Sequence, residues 1–360
     1  MKTLRLHGRH DIRIHEEEQP VPGDGQALLK ITSVGICGSD LHWFSEQGIG
    51  DARLTRPLIL GHEFAAITQN GQRVAVEPAV SCGRCEFCEH GHPNLCEHGI
   101  FSGHGLQDGA LREFMAWPTK NLYPIPDVLS DDDGAMLEPL GVAIHAVDLG
   151  HIKAGMTVGV FGCGPIGLLI IQLAKLSGAT NIIATDIIAQ RVQMAEALGA
   201  NLAFLTDGRS DVGPILAATG GRGVDVAFEV AGAQAAVDNA IAAVVPGGEV
   251  VLVGIPDDDK TSFTASVARR KGLTIKLVRR MKHTYPRAIH LVERGLVDVR
   301  SLVTHRFPLK DAAEAFAIAE RREGIKIILT MDGRPSIVHR LRSNIRSFCD
   351  KIYNWGGFWY

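Results

Sequence analysis

The second half of the chain alternates strand-like and helix-like apolar segments, and this alternation constrains the fold more than any other feature. Strands are predicted at 157–161, 181–185, 224–230, 249–254 and 273–278, and apolar residues at 165–177 have helical spacing. Strands that alternate with helices form a parallel sheet that is covered on both faces. The pattern therefore predicts a doubly wound α/β unit.

A glycine-rich turn, Gly162-Cys163-Gly164-Pro165-Ile166-Gly167, follows the first of these strands and opens a helix. In a dinucleotide site such glycines permit a sharp turn, close approach of the pyrophosphate and tight packing, and the helix N-terminus offers free N–H groups. Asp186 ends the next strand, where a carboxylate binds ribose hydroxyls and repels a 2′-phosphate. Arg191 either flanks the ribose or begins an exposed helix. We predict an NAD site; the alternative is a glycine turn needed only for packing.

Four cysteines, Cys82, Cys85, Cys88 and Cys96, are separated by two, two and seven residues. Four thiolates form a closed tetrahedral zinc site, and two-residue gaps let one tight turn direct neighbouring sulfurs at one ion. The alternatives are free core cysteines, which a loop this polar disfavours, or two disulfides, which need an oxidising compartment. We predict a structural zinc ion in a lobe at about 80–100.

A second group of metal-binding residue types lies in the segments Cys37-Gly38-Ser39-Asp40-Leu41-His42 and Gly61-His62-Glu63. A cysteine, a histidine and a carboxylate suit a catalytic zinc ion, which keeps one position open for water or substrate. A lone buried cysteine or histidine is more often a core residue than a metal ligand, so neither segment alone indicates a metal site.

Length and charge limit the possible functions. A chain of 360 residues is long for a single core, and a formal net charge of −3 gives no general attraction to nucleic acid or anionic membranes. Residues 1–14 alternate polar and apolar like one strand and lack the apolar core of a signal peptide. No apolar run reaches transmembrane length. We expect a cytoplasmic protein without a nucleic-acid partner.

In combination these segments resemble the zinc-dependent medium-chain dehydrogenase/reductase family, in the branch of the sorbitol (L-iditol) and related polyol dehydrogenases. The resemblance runs from residue 1 to about 333 and is carried by VGICGSDLH at 34–42, PLILGHE at 57–63, the four cysteines, EPL at 138–140, GCGPIG at 162–167 and VTHRFP at 303–308. It implies a GroES-like, mainly-β catalytic domain (1–147 and 296–333) with an inserted Rossmann domain (148–295).

The resemblance also implies roles for individual residues. Cys37, His62 and Glu63 match catalytic zinc ligands, and Glu138 matches a glutamate that holds a zinc-bound water or enters the metal shell. Ser39 matches the hydroxyl that takes the substrate proton, and His42 matches the residue that passes this proton to solvent. The implied cofactors are NAD and two zinc ions per chain, one catalytic and one structural. We interpret Asp40 as a carboxylate behind the ligands.

The predicted activity is NAD-dependent oxidation of a secondary alcohol in a polyol of the sorbitol, L-iditol or xylitol type. The alternatives are an L-threonine 3-dehydrogenase, a dehydrogenase of 2,3-diols or other secondary alcohols, and a catalytically silent protein that binds zinc and nucleotide. The family resemblance suggests a homodimer or a homotetramer.

The substrate region departs from the family pattern. Val278-Arg279-Arg280 stands where sorbitol dehydrogenases commonly carry Phe-Arg-Tyr. Arg279 keeps an arginine that can bind sugar hydroxyls, together with Ser39 and Glu138. Arg280 either favours an acidic or phosphorylated polyol or belongs to a basic surface cluster. Phe101, Phe44 and Trp43 are candidate pocket walls or plain core.

Residues 334–360 extend past the family's usual end. Apolar residues at helical spacing, neighbouring arginines and terminal aromatics predict a basic amphipathic helix. The alternatives are that such a helix packs on its own chain, docks on a partner subunit or has no function. We do not expect membrane contact, because the rest of the chain shows no excess of basic charge.

Overall fold

The structure is a computed structural model and describes residues 1–331. The helix predicted at 334–360 and Cys349 lie outside the described residues. Within these residues no helix is both long enough and apolar enough to cross a lipid bilayer.

The first part of the chain is mainly β. Its strands are β1 (Lys2–Gly8), β2 (Asp11–Glu16), β3 (Gln26–Gly35), β4 (Gly48–Ile49), β5 (Ala52–Arg53), β6 (Leu58–Ile59), β7 (Glu63–Thr68), β8 (Arg73–Val76), β9 (Ala79–Val80), β10 (Ile100–Phe101), β11 (Phe114–Pro118) and β12 (Leu122–Pro124). Its helices are α1 (Gly38–Glu46), α2 (Glu86–Glu89), α3 (Asp131–Ala135) and α4 (Leu137–Leu149).

The second part alternates strands and helices as predicted. Its elements are β13 (Thr157–Phe161), α5 (Pro165–Leu176), β14 (Asn181–Asp186), α6 (Ala189–Ala197), β15 (Leu202–Leu205), α7 (Val212–Ala218), β16 (Val224–Glu229), α8 (Gln234–Ala243), β17 (Val244–Leu252), α9 (Ala265–Lys271), β18 (Thr274–Leu277) and α10 (Tyr285–Glu293). The chain then adds β19 (Val303–Pro308), α11 (Ala312–Glu320) and β20 (Lys326–Thr330).

Strands β13 to β18 form a six-stranded sheet in the order β15-β14-β13-β16-β17-β18, in which neighbouring strands run parallel. This is the strand order of a Rossmann fold, whose ligands bind beyond the carboxyl ends of the strands. The prediction of a doubly wound parallel sheet is confirmed.

The other large sheet joins the two ends of the described chain. Its order is β12-β8-β7-β3-β20-β19, and β11 also pairs with β3. Strand β20 runs antiparallel to β3, with Ile328 opposite Gly35, and Gly35 lies opposite Glu63 of β7. Residues from the start and the end of the described chain therefore meet at one place in this sheet.

The interpretation of residues 1–14 as one strand is wrong. Strands β1 and β2 form an antiparallel hairpin in which Lys2 pairs with Glu16. The turn contains His10 in the left-handed region, with φ of 55°. The alternation of polar and apolar residues continues on both sides of this turn, so the pattern alone did not show where the chain reverses.

Candidate active site

The cysteine, histidine and glutamate of the two N-terminal motifs come together. One ligand atom from each of Cys37, His62 and Glu63 lies within 4.8 Å of the others. Cys37 precedes α1, whereas His62 and Glu63 stand at the start of β7. Gly35 makes room for this arrangement, because a Cβ at this position would overlap Oε2 of Glu63. The two motifs are thus brought to one potential metal site.

Asp40 supports this cluster from behind. Its Oδ1 lies 3.4 Å from Nδ1 of His62, and its carboxylate accepts hydrogen bonds from the backbone N–H groups of Cys37 (3.0 Å) and Gly61 (3.1 Å). Burial disfavours the charged carboxylate, but His62 and the two N–H groups outweigh burial and lower the pKa of Asp40. Nδ1 of His62 is occupied in this way, so Nε2 remains for the cluster, where Oγ of Ser39 lies 3.3 Å away.

The partner of Glu63 is Lys326, which the sequence reasoning missed. Its Nζ donates to both carboxylate oxygens of Glu63, at 2.8 and 2.6 Å, and to the carbonyl of Ile36 at 3.0 Å. Both side chains are buried, at 3% and 1% exposure. A single lysine among the apolar residues of β20 was the available signal, because a buried charge needs a partner.

Glu138 of α4 adds another buried carboxyl to the site. Burial raises the pKa of Glu138 to about 7; His62 opposes this rise and Glu63 adds to it. Lys326 already pairs with Glu63, and a cation bound between Cys37, His62 and Glu63 would also attract the carboxylate of Glu138. The donor set of Cys37, His62 and Glu63 therefore fits a divalent ion such as zinc.

The four cysteines of the 80–100 lobe also converge, with their sulfurs within 4.8 Å of one another. Sγ of Cys85 lies 3.5 Å from that of Cys88 and 3.8 Å from that of Cys96. These separations far exceed the S–S bond of about 2.05 Å, so the disulfide alternative is wrong. Four converging free thiols form the donor set of a closed zinc site.

The glycine turn connects β13 to α5 as expected for a nucleotide site. Gly162 has φ of 106°, and a Cβ there would lie 2.9 Å from the backbone nitrogen of Ala231. The carboxylate of Asp186 accepts hydrogen bonds from the backbone N–H groups of Cys163 (2.7 Å) and Ile188 (2.8 Å). Arg191 is partly buried rather than exposed, and its Nη1 approaches Gly164. The nucleotide-site candidates thus surround one turn.

His42, the predicted proton-relay residue, lies near an exposed carboxylate. Nδ1 of His42 lies 3.6 Å from the carboxylate of Asp257, which is 89% exposed. Asp257 stands in the loop after β17, far from His42 in sequence, and no sequence pattern pointed to it. The side chain of His42 therefore points from α1 towards a solvent-exposed carboxylate.

The aromatic candidates separate into pocket and core. The ring of Phe101 is partly buried, with its centre 5.2 Å from that of His62. Phe44 packs on Phe316 inside the hydrophobic core, with ring centres 5.0 Å apart, and Trp43 is also buried there. The core interpretation therefore holds for Phe44 and Trp43, whereas Phe101 borders the potential metal site.

Comparison with known proteins agrees with this geometry. Residues 23–127 match the alcohol dehydrogenase GroES-like domain and residues 165–294 match the zinc-binding dehydrogenase domain. The sorbitol dehydrogenase of Bacillus subtilis is 35% identical over 343 residues, which cover 91% of this chain and 97% of that protein. The chain belongs to the zinc-dependent medium-chain dehydrogenase family. It lies in the polyol dehydrogenase branch, so the predicted family is confirmed.

Two solved structures similar to this chain have the same fold. The L-idonate 5-dehydrogenase of Escherichia coli is 26% identical with a TM-score of 0.85, covering 92% of this chain and 98% of its own. An alcohol dehydrogenase of Escherichia coli CFT073, solved with NADH, is 29% identical with a TM-score of 0.84, covering 92% and 99%. The predicted enzyme class, an NAD-dependent zinc alcohol or polyol dehydrogenase, is confirmed.

In this dehydrogenase the Asp186→Asn variant is expected to lose at least tenfold of its preference for NAD over NADP. The substitution removes the charge that is predicted to bind ribose hydroxyls and to repel a 2′-phosphate, and hydrogen bonds to charged groups contribute about 1.5–3 kcal/mol. The measurement is the ratio of kcat/KM for the two cofactors. Asp225→Asn, which changes a carboxylate at the opposite end of the sheet, is the matched control. An unchanged ratio in Asp186→Asn would contradict the assignment.

Proposed function

We propose that this enzyme oxidises a secondary alcohol of a polyol, of the sorbitol, L-iditol or xylitol type, to the ketone and passes the hydride to NAD. The observation that carries the proposal is the buried cluster of Cys37, His62 and Glu63 with the hydroxyl of Ser39 beside it. This arrangement provides metal ligands and a proton acceptor at one place, in a chain that also carries a glycine turn for a dinucleotide.

Cys37, His62 and Glu63 would hold the catalytic zinc ion, and Cys82, Cys85, Cys88 and Cys96 the structural one. When bound at the first site, zinc polarises the alcohol oxygen and lowers its pKa. Asp40 keeps the ring of His62 in position through Nδ1. Lys326 holds the carboxylate of Glu63, which limits the positions that this ligand adopts.

Three side chains would handle the substrate and its proton. Ser39 would accept the proton of the alcohol as it gives up its own hydroxyl proton, and His42 would pass that proton towards solvent beside Asp257. Glu138 positions a water molecule or the substrate by hydrogen bonding from α4. The partly buried ring of Phe101 excludes water from one side of the site.

The cofactor would lie along the carboxyl ends of β13 and β14. Gly162, Gly164, Pro165, Ile166 and Gly167 let the pyrophosphate approach the first turn of α5. Asp186 binds the adenosine ribose, and Arg191 flanks it. From this position the nicotinamide end of NAD would have to reach the zinc ligands, as hydride transfer requires.

The proposal extends to domains, compartment and assembly. Residues 1–147 and 296–333 form the catalytic domain and 148–295 the NAD domain, which is supported by the return of β19 and β20 to the sheet of β3. Clustered free thiols suit the reducing cytoplasm. Strand β18 is an edge strand with Leu277 74% exposed, which supports a homodimer or homotetramer built on this edge.

The test is NAD reduction by the purified protein over sorbitol, xylitol, L-iditol, galactitol, L-threonine, 2,3-butanediol and simple alcohols, with and without a zinc chelator. We expect chelator-sensitive NADH formation concentrated on polyols. Preference for L-threonine or 2,3-butanediol would replace the polyol assignment by the corresponding alternative. No turnover on any substrate, with zinc and NAD both bound, would refute the proposed activity.

A further inference from the structure

Arg280 occupies a constrained position directly after β18. Its backbone has φ of 55°, in the left-handed region that non-glycine residues rarely adopt. The preceding residue is fixed, because the side chain of Asn94 donates to the carbonyl of Arg279 at 3.1 Å and Nε of Arg279 donates to the carbonyl of Asn94 at 3.2 Å. The cysteine lobe thus holds the chain in the conformation that directs Arg280 inward.

The guanidinium of Arg280 lies beside the potential metal site. Its Cζ is 4.2 Å from the centre of the Phe101 ring, and that ring packs on His62. A single aromatic ring therefore separates this cation from a proposed zinc ligand. Arg280 is partly buried, whereas Arg269, Arg270 and Arg279 of the predicted basic cluster are exposed. Its side chain therefore differs from the rest of that cluster in facing the potential metal site.

Arg280 has no hydrogen bond or ion pair with any residue between 1 and 331. Two other partly buried arginines differ from it in having carboxylate partners: Arg73 pairs with Asp131 and Arg306 with Asp132. A guanidinium carries five N–H donors, and stacking on a ring satisfies none of them. Donors that are partly withdrawn from water and unpaired are available to a ligand.

Positive groups outnumber negative ones around Arg280 and the neighbouring His104. Burial and the nearby Arg279 lower the pKa of Arg280 to about 10, so the side chain stays charged at neutral pH. Burial, followed by Arg280, His62 and Arg279, lowers the pKa of His104, which leaves this imidazole neutral. The negative charge of Asp51 opposes this lowering only weakly, and Glu138 attracts Arg280 without forming an ion pair. The uncompensated charge favours an anion.

We propose that Arg280 binds a terminal anionic group of the substrate, a carboxylate or a phosphate ester, so that the preferred substrates are sugar acids or phosphorylated polyols. This inference rests on the proposed oxidation of a polyol at the Cys37–His62–Glu63 cluster. A planar guanidinium pairs with either group through two parallel hydrogen bonds. The pyrophosphate of the cofactor is too distant, because β18 stands three strand spacings, about 14 Å, from the glycine turn after β13.

The experiment compares matched substrates that differ in one charged terminus: galactitol with galactitol 1-phosphate, and L-iditol with L-idonate. We expect kcat/KM to be at least tenfold higher for an anionic member than for its neutral partner. Arg280→Gln should lower kcat/KM for the anion by about 10- to 100-fold, as for the loss of a charged hydrogen bond. The neutral substrates should change less than threefold, the KM for NAD should stay unchanged, and Arg280→Lys should recover part of the loss.

Binding is measured separately by calorimetric titration of galactitol 1-phosphate and L-idonate into the enzyme–NADH complex, in which an alcohol is not oxidised. Arg280→Gln should weaken binding of the anion, whereas Arg270→Gln, at an exposed arginine of α9, should bind it like the wild type. A response to one anion alone identifies that group as the ligand.

Equal loss for neutral and anionic substrates, or a raised KM for NAD, would overturn the inference. Turnover of neutral polyols without any gain from the anion would refute the role of Arg280 and leave the proposed function in place. If no substrate turns over, the proposed function fails, and anion binding to the NADH complex still decides the role of Arg280.

Discussion

The Cys37→Ser variant is expected to lose on the order of 10³-fold in kcat while keeping its fold and one zinc ion per chain. A hydroxyl in place of the thiolate weakens metal binding at the catalytic cluster, and metal polarisation of the substrate oxygen contributes several kcal/mol of barrier lowering. The measurement pairs the rate of NADH formation on the preferred alcohol with the zinc content per chain determined by mass spectrometry.

The matched control for Cys37→Ser is Cys88→Ser, which changes one cysteine of the other cluster. This control should also lose one zinc ion, but the remaining zinc should lie at the catalytic cluster, and thermal stability should fall. Unchanged turnover in Cys37→Ser, or two zinc ions retained in it, would contradict the assignment of the catalytic ligand.

Replacing Lys326 by methionine is expected to destabilise the enzyme by about 3–5 kcal/mol, because it leaves the carboxylate of Glu63 buried without its cation. Calorimetry of the chelator-treated protein should show a thermal midpoint several degrees lower. Zinc bound at the cluster supplies another positive charge, so the loss should be smaller in the zinc-loaded protein.

Two variants make the Lys326 experiment decisive. The double variant Lys326→Met with Glu63→Gln should recover most of the loss, because no unpaired charge remains buried. Lys30→Met changes an exposed lysine of β3 in the same sheet and should shift stability by less than about 0.5 kcal/mol. Equal effects of Lys326→Met and Lys30→Met would show that the buried ion pair contributes nothing.

The features that were predictable from the sequence are those formed by residues that lie close together along the chain. The glycine turn joins a strand and a helix within a few residues, and the four cysteines lie in one short segment, so spacing alone indicates their chemistry. The alternation of strands and helices predicted the parallel sheet for the same reason, since the spacing of apolar residues within each element indicates whether it is a strand or a helix.

The features that were missed depend on contacts between distant residues. Lys326 and Glu63 are 263 residues apart, and only the fold shows that β20 and β7 flank the same strand. Arg280 was visible as a departure from the family pattern, but its contact with Phe101 follows from the turn after β18. Phe44 and Phe101 are the same residue type, and burial in the tertiary structure decides which one borders the site.

The return of β19 and β20 to the sheet of β3 has a consequence for how the enzyme is made. Glu63 leaves the ribosome long before Lys326 is synthesised, so the nascent chain carries an incomplete sheet and an unpaired carboxylate until β20 has been made. The Rossmann unit consists of contiguous residues and needs no later segment for its own sheet. The proposed metal cluster therefore gains Lys326 only after the whole Rossmann unit has been synthesised, which couples the capacity for chemistry to the synthesis of β20.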